Sequence, residues 1–116
     1  MGSSIKMYHN PRCSKSRQTF ALLRENNIEP EIVEYLKEIP TNKELTELVG
    51  FLNIEPEALI RKGEADFKEN FKGKKLSHQA WIQAMIDFPK LIERPIVVKG
   101  KTAVVGRPPE KVLTLL

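Results

Sequence analysis

The chain has 116 residues, with 19 Lys and Arg against 15 Asp and Glu, and its formal net charge of +4 is spread along the whole length. This length suits one domain, residues 1–116, and the single Cys excludes an intramolecular disulfide and a Cys/His zinc site, as expected of a cytoplasmic protein. Acidic residues lie between the basic ones, so we do not expect the chain to bind nucleic acid. No stretch has the roughly 20 apolar residues of a membrane-spanning helix, so we do not expect it to bind a membrane either.

The first third of the chain predicts a strand, a helix and a second strand, which together form a βαβ unit. Residues 4–8 predict the first strand, and Asn10-Pro11 forms a turn after it. An amphipathic helix is expected over residues 14–26, followed by a strand over residues 31–35. Such a unit places its two strands parallel, and ligands bind at the carboxyl end of the first strand.

Residues 41–92 are expected to form a helical insertion. Thr41 and Glu44 have the spacing of a capping box at the start of its first helix. The remaining elements, in chain order, are a short helix begun by Pro56, a charged, mobile loop over residues 64–75 with up to one helical turn, and a helix capped by Ser77. This stretch separates the βαβ unit from the remaining strands.

The last part of the chain predicts a hairpin and a final helix. β-branched runs over residues 95–98 and 102–105 flank a short turn, and Pro108-Pro109 opens a helix that continues to Leu116. The order βαβ, helical insertion, ββα resembles the thioredoxin/glutaredoxin fold, an α/β fold with a mixed sheet. In that fold a cis proline faces the active-site thiol, which implies a cis Arg94-Pro95 bond here.

Cys13 is the candidate nucleophile. A lone Cys is often a small buried apolar residue, but this one begins a helix among Arg12, Lys15 and Arg17. The N–H groups and dipole of a helix N-terminus, together with nearby cations, favour the thiolate, which is the reactive form. The same groups suit an oxyanion held against the sulfur. We therefore expect Cys13 to be catalytic.

Three arginines that are distant in the sequence are the candidate anion-binding residues. Arg61, Arg94 and Arg107 each lie at the end of a predicted element, with no matching carboxylate nearby. Since like charges repel, three guanidinium groups gathered at one site need an anion between them. We expect them to converge near Cys13 and to bind one small oxyanion.

These residues and their order resemble the glutaredoxin-coupled arsenate reductases, a family of thioredoxin-like fold. The matching motifs, in chain order, are Tyr8-His9-Asn10-Pro11, Cys13 with Ser16-Arg17, Leu59-Ile60-Arg61-Lys62, Arg94-Pro95-Ile96-Val97-Val98 and Gly106-Arg107-Pro108. The resemblance implies that Cys13 attacks arsenate and that the three arginines hold the oxyanion. It also implies that His9 helps to keep the thiol ionised. The other supporting positions are Ser16, Arg17 and Pro95.

The resemblance also implies what must come from outside the chain. Reduction of arsenate to arsenite takes two electrons, and a chain with one Cys needs a second thiol. The resemblance implies glutathione as that cosubstrate and glutaredoxin as the protein partner that completes the cycle. We expect a monomer with no bound cofactor or metal.

Two other functions remain open. The first is a glutathione-dependent thiol oxidoreductase, in which the same three arginines bind the carboxylates of glutathione. The second is a redox regulator that binds RNA polymerase, although such regulators generally carry Cys-x-x-Cys and this chain has Ser16. Arsenate reductases of small tyrosine-phosphatase fold are excluded, because they need Cys-x5-Arg and the sixth residue after Cys13 is Thr19.

Overall fold

The computed structural model describes residues 4–116, which form two compact units. The helices and strands, in chain order, are β1 (Ile5–Tyr8), α1 (Ser14–Glu25), β2 (Glu31–Val33), α2 (Asn42–Leu52), α3 (Ala65–Asn70), α4 (His78–Asp87), β3 (Ile96–Lys99) and β4 (Thr102–Val105). Within residues 4–116 there are also three 3₁₀ helices, at Pro56–Leu59, Pro89–Leu91 and Pro109–Leu115.

The first unit comprises residues 4–38 and 94–116 and contains one four-stranded sheet in the order β2-β1-β3-β4. The β1 and β2 strands are parallel, while β1 pairs antiparallel with β3 and β3 pairs antiparallel with β4. The predicted α/β fold, with its mixed sheet and its thioredoxin-like order of elements, is confirmed. The carboxyl end of β1 leads into Cys13, as the βαβ pattern predicts.

The core of the first unit lies between the sheet, α1 and the last 3₁₀ helix. Ile5 and Met7 alternate on β1 and are buried on the same face, where they join Leu23 of α1. Val112 and Leu115 complete this core from the last 3₁₀ helix. Their spacing of three residues places both on one face, because a 3₁₀ helix has three residues per turn.

The second unit spans residues 39–93 and is helical. The predicted capping box is present, since the Thr41 hydroxyl accepts from the Glu44 N–H at 3.1 Å and the Glu44 carboxylate accepts from the Thr41 N–H at 3.0 Å. Ser77 caps α4 as predicted, by accepting from the Ala80 N–H. The side chain of Trp81 on α4 is buried in this unit.

The predicted loop over residues 64–75 contains the six-residue helix α3, which is longer than the single helical turn expected there. Packing between aromatic side chains explains why these residues form a helix. The Phe67 and Trp81 rings stack with centroids 6.3 Å apart, and Phe71 contacts both Trp81 and Phe88 at 6.0 and 5.5 Å. A short, charged helix gains stability from such contacts rather than from its own periodicity.

Three further elements differ from the predicted ones in extent or in helix type. The second strand ends at Val33, and both the helix begun by Pro56 and the final helix are 3₁₀ helices. The Arg94-Pro95 bond is cis as predicted, and the Arg107-Pro108 bond is also cis, which the sequence analysis did not anticipate. No helix of the described chain has both the length and the apolar character needed to cross a membrane.

Candidate active site

Cys13 is the N-cap residue of α1 and lies at the end of the loop that follows β1. Its N–H donates to the Asn10 carbonyl at 3.0 Å, and its own carbonyl accepts from the Arg17 N–H at 3.0 Å. The residue is only 9% exposed. The first turn of α1 contains no acidic side chain, although acidic residues normally stabilise this end of a helix. The helix N-terminus beside the thiol is therefore without an anionic side chain of its own.

The first turn of α1 holds the loop that delivers Cys13. The buried Ser16 hydroxyl accepts from the Asn10 N–H at 3.0 Å and lies 2.7 Å from Nδ1 of His9. From the outer side, Nη1 of Arg17 donates to the Pro11 carbonyl at 3.0 Å. Ser16 occupies the position of the second Cys in a dithiol enzyme, and here its oxygen fixes the backbone of the loop.

His9 is a partly buried imidazole packed between the loop and α1. Its ring stacks on Phe20 with centroids 5.8 Å apart. Burial lowers the pKa of His9 from its ordinary value of 6.5, and the Arg17 cation lowers it further, while the Glu34 carboxylate acts in the opposite direction. The imidazole is therefore mostly neutral at pH 7. Its effect on the thiol, which the family resemblance implies, stays a prediction.

The Arg107 guanidinium reaches Cys13 from the opposite end of the chain. Its Nη2 donates to Sγ of Cys13 at 3.7 Å, and its Nε donates to the Arg94 carbonyl at 2.8 Å. The backbone N–H of Arg107 donates to the Val105 carbonyl, directly after β4. The structure thus brings Cys13 and Arg107, two of the predicted site residues, into contact. The backbone carbonyl of a third, Arg94, orients the Arg107 guanidinium.

Gly106 belongs to the Gly106-Arg107-Pro108 motif noted in the sequence, but its packing role was not predicted. Its N–H donates to the Pro95 carbonyl at 2.9 Å, which joins the residue before Arg107 to the cis proline. A Cβ atom at Gly106 would lie 2.8 Å from Oγ1 of Thr19 and 3.0 Å from Cγ of Pro95. Only glycine fits this close approach of the chain to α1.

Arg94 lies at the start of the segment that leads into β3. Its carbonyl accepts the Arg107 hydrogen bond described above. The Nε and Nη1 atoms of its guanidinium are buried and form no hydrogen bond with the described residues, although Arg94 does have another interaction. Hydrogen bonds to backbone carbonyls within the first unit thus connect the Arg94-Pro95 segment to the Gly106-Arg107 segment.

Arg61 belongs to the second unit, where it has carboxylate partners. Its Nη1 lies 2.9 Å from Oε2 of Glu64, and its Nε lies 3.7 Å from Oε1 of Glu93. The prediction that Arg61 has no matching carboxylate is therefore wrong. The Glu64 partner is three residues away, at a spacing that is readable in the sequence. Binding of an oxyanion by Arg61 stays a prediction.

Among residues 4–116, no group of three or more His, Cys, Asp or Glu side chains is placed to hold a metal ion. The chemistry available to the first unit is that of a thiol, a guanidinium and a helix N-terminus. Guanidinium groups and helix N-terminal N–H groups both bind oxyanions. The arrangement can therefore hold an anion next to a nucleophilic sulfur.

Comparison with known proteins agrees with this geometry. The chain is 49% identical over 120 residues to the Escherichia coli K12 protein called "Uncharacterized protein YfgD", with 100% of this chain and 99% of that protein covered. It is 38% identical over 115 residues to the arsenate reductase of the same organism, with 98% and 82% covered. A solved structure of an arsenate reductase from Vibrio cholerae superimposes with a TM-score of 0.95 at 46% identity over 100% of both chains. The model of the ArsC family matches residues 8–115, and the chain belongs to that family.

Proposed function

We propose that this chain is an arsenate reductase in which Cys13 is the nucleophile and Arg107 binds the oxyanion. The observation that carries the proposal is the 3.7 Å contact between Nη2 of Arg107 and Sγ of Cys13. The curated and structural relatives named arsenate reductase support it. Arg94 and Arg61 are proposed to contribute further donors to the same anion.

The electrostatic problem of the reaction explains why a cation is needed beside the sulfur. A thiolate and an arsenate ion are both negative and repel one another. A guanidinium about 4 Å from an anion contributes roughly 4 kcal/mol of attraction at an effective dielectric constant of about 20. Arg107 therefore offsets the repulsion between nucleophile and substrate, and the free N–H groups at the start of α1 act in the same direction.

The proposed chemistry balances only with a second thiol. Sγ of Cys13 attacks arsenic, and one oxygen leaves as water when the sulfur–arsenic bond forms. The thiol of glutathione then attacks Sγ, the sulfur–arsenic bond breaks, and its electron pair remains on arsenic, which leaves as arsenite. The two thiols are oxidised to a mixed disulfide while arsenic gains two electrons. Glutaredoxin takes the glutathione from this disulfide and restores the Cys13 thiol.

The experiment that tests the proposal is arsenite production with glutathione and glutaredoxin. The wild-type protein should form arsenite, and Cys13→Ser should reduce the rate to background while melting close to the wild-type temperature. A disulfide substrate serves as the comparison. Reduction of the disulfide without arsenite production would contradict the proposal and favour a glutathione-dependent thiol oxidoreductase. Full arsenate activity in Cys13→Ser would exclude this residue as the nucleophile.

A further inference from the structure

The hydroxyl group of Ser16 is closed off from solvent and has few possible hydrogen-bond partners. Ser16 lies in the first turn of α1 and is 0% exposed, so water does not reach its side chain. Among residues 4–116, Oγ of Ser16 has two partners, the Asn10 N–H at 3.0 Å and Nδ1 of His9 at 2.7 Å. A serine hydroxyl can accept two hydrogen bonds but has a single proton to donate. The chemistry of its two partners therefore decides where that proton lies.

The proton of the Ser16 hydroxyl has one acceptor within the described chain. The Asn10 N–H can only donate, so it uses a lone pair of Oγ. If Nδ1 of His9 carried a proton, it would also donate to Oγ, and the hydroxyl proton would then have no acceptor among residues 4–116. A buried donor without an acceptor costs free energy. The hydroxyl therefore donates to Nδ1, which is unprotonated.

An unprotonated Nδ1 leaves the proton of the neutral imidazole on Nε2. Burial, which lowers the pKa of His9, agrees with a neutral ring, and the Arg17 cation acts in the same direction against the Glu34 carboxylate. Nε2 forms no hydrogen bond with residues 4–116, and His9 lines a cavity of about 270 Å³ beside the loop that precedes Cys13. The Nε2–H group is thus available to a ligand.

We infer that Ser16 is a positioning residue that fixes His9 in the Nε2–H tautomer, so that His9 serves the site as a hydrogen-bond donor. A ring fixed in this way can donate to an oxyanion or to a thiolate. It cannot take the proton of the Cys13 thiol, because Nδ1 is occupied by the Ser16 proton and Nε2 already carries one. The consequence for catalysis rests on the proposed function, in which nucleophile and substrate are both anions and gain from a neutral donor.

Nitrogen-15 NMR of the imidazole rings reads the tautomer directly. Protonated and unprotonated ring nitrogens have well-separated chemical shifts, and a mixture of tautomers averages them. At about pH 8, where an ordinary His is neutral, the wild type should show an unprotonated Nδ1 and a protonated Nε2 for His9. The chain has two His residues, and His9→Asn identifies the His9 signals by their loss.

Two variants test whether Ser16 is the cause of this tautomer. Ser16→Ala should move the two His9 shifts towards each other. Ser77→Ala is the control, because it removes another hydroxyl that accepts from a backbone N–H, and it should leave the His9 shifts in place. Melting temperatures verify that each variant is folded. A protonated Nδ1 or averaged shifts in the wild type would overturn the inference, as would unchanged His9 shifts in Ser16→Ala.

A double-mutant cycle connects the tautomer to the reaction. Ser16→Ala should lower kcat/KM for arsenate by a factor that is at least about twofold larger in the wild type than in the His9→Asn background. Equal factors in the two backgrounds would show that Ser16 does not act through His9. Absence of arsenite with the wild type would overturn the proposed function, whereas the NMR spectra would still decide the tautomer.

Discussion

Arg107 and Cys13 are 94 residues apart in the sequence, yet Nη2 of Arg107 donates to Sγ of Cys13 at 3.7 Å. The same guanidinium is held at a second point, because its Nε donates to the Arg94 carbonyl at 2.8 Å. A guanidinium is flat and rigid, so two contacts fix its orientation. The sulfur therefore has a cation beside it that the Arg94 backbone carbonyl helps to orient.

Replacement of Arg107 by Lys tests whether catalysis needs both contacts of the Arg107 guanidinium, to the Arg94 carbonyl and to Sγ of Cys13. A single ammonium nitrogen cannot reach both the Arg94 carbonyl and the Cys13 sulfur in the same geometry. We expect kcat/KM for arsenate to fall at least about tenfold, which corresponds to about 1.4 kcal/mol of lost transition-state stabilisation. Arg24→Lys is the control, because Arg24 is half-exposed and pairs with Glu29 on the surface. Similar losses of kcat/KM in both variants would show that the two contacts of the Arg107 guanidinium have no special role.

Two Gly→Ala substitutions should have opposite effects on stability. At Gly106 the new Cβ would lie 2.8 Å from the buried Thr19 hydroxyl, which is itself bound to the Lys15 carbonyl, and 3.0 Å from the rigid Pro95 ring. We expect Gly106→Ala to cost about 1–3 kcal/mol of unfolding free energy. Gly50→Ala, on the exposed face of α2 with nothing within 4 Å, should add about 0.5–1 kcal/mol. Urea unfolding measures both.

The cause of the Gly106 effect can be isolated with a second change. Thr19→Ala removes the two Thr19 atoms, Oγ1 and Cγ2, that the new Cβ would approach. Gly106→Ala should therefore cost less in the Thr19→Ala background than in the wild type, and a double-mutant cycle gives the difference. Additive effects would mean that the Thr19 side chain is not what excludes a Cβ here.

The lowered pKa of His9 predicts a specific loss of stability in acid. Below the ordinary value of 6.5 the unfolded chain binds a proton at His9 before the folded chain does, so the free energy of unfolding falls as the pH falls. His9→Asn keeps a polar atom near the Ser16 hydroxyl but cannot titrate. Between about pH 7.5 and about pH 5 the wild type should lose more stability than this variant. Parallel urea-unfolding profiles would contradict the prediction.

Local patterns explain which parts of the fold were predictable. The capping box of Thr41 and Glu44 and the β-branched hairpin runs act within a few residues, so the sequence alone identifies them. The α3 helix was expected to be at most one turn long, because its full length depends on the contact between Phe67 and Trp81, which are far apart in the sequence. The last helix was predicted at the right place, but its 3₁₀ form, in which Val112 and Leu115 are buried in the core, was not predicted.

The candidate site likewise has features that the sequence predicts and features that require the fold. Cys13 and the arginines stand out by residue type, and the order of motifs indicated the family. The hydrogen bonds of Ser16 to the loop and the close approach at Gly106 were not predictable, because both need the spatial relationship of α1 to its neighbours. The pairing of Arg61 with Glu93 also required the fold, since 32 residues separate them in the sequence.

The last prediction concerns the response of the protein to oxyanions. A dianion that binds the folded chain beside Arg107 and Cys13 stabilises it by RT ln(1 + [L]/Kd), about 1.4 kcal/mol at ten times Kd. Low-millimolar arsenate, phosphate or sulfate should therefore raise the melting temperature of the wild type in a saturable way, beyond an equal ionic strength of chloride. Sulfate and phosphate also stabilise proteins generally, but that effect does not saturate at such concentrations and is common to all variants.

The variants decide whether the anion binds at the proposed place. Arg107→Ala should remove most of the saturable rise, since it deletes the guanidinium that contacts Sγ of Cys13. Arg24→Ala, which removes an exposed cation of the same type, should leave the rise intact. Arg61→Ala extends the test to the second unit, and a reduced rise there would support a share of Arg61 in the same anion. If the Arg107→Ala protein responds to arsenate as the wild type does, the anion binds elsewhere, and the Cys13–Arg107 contact has no role in holding substrate.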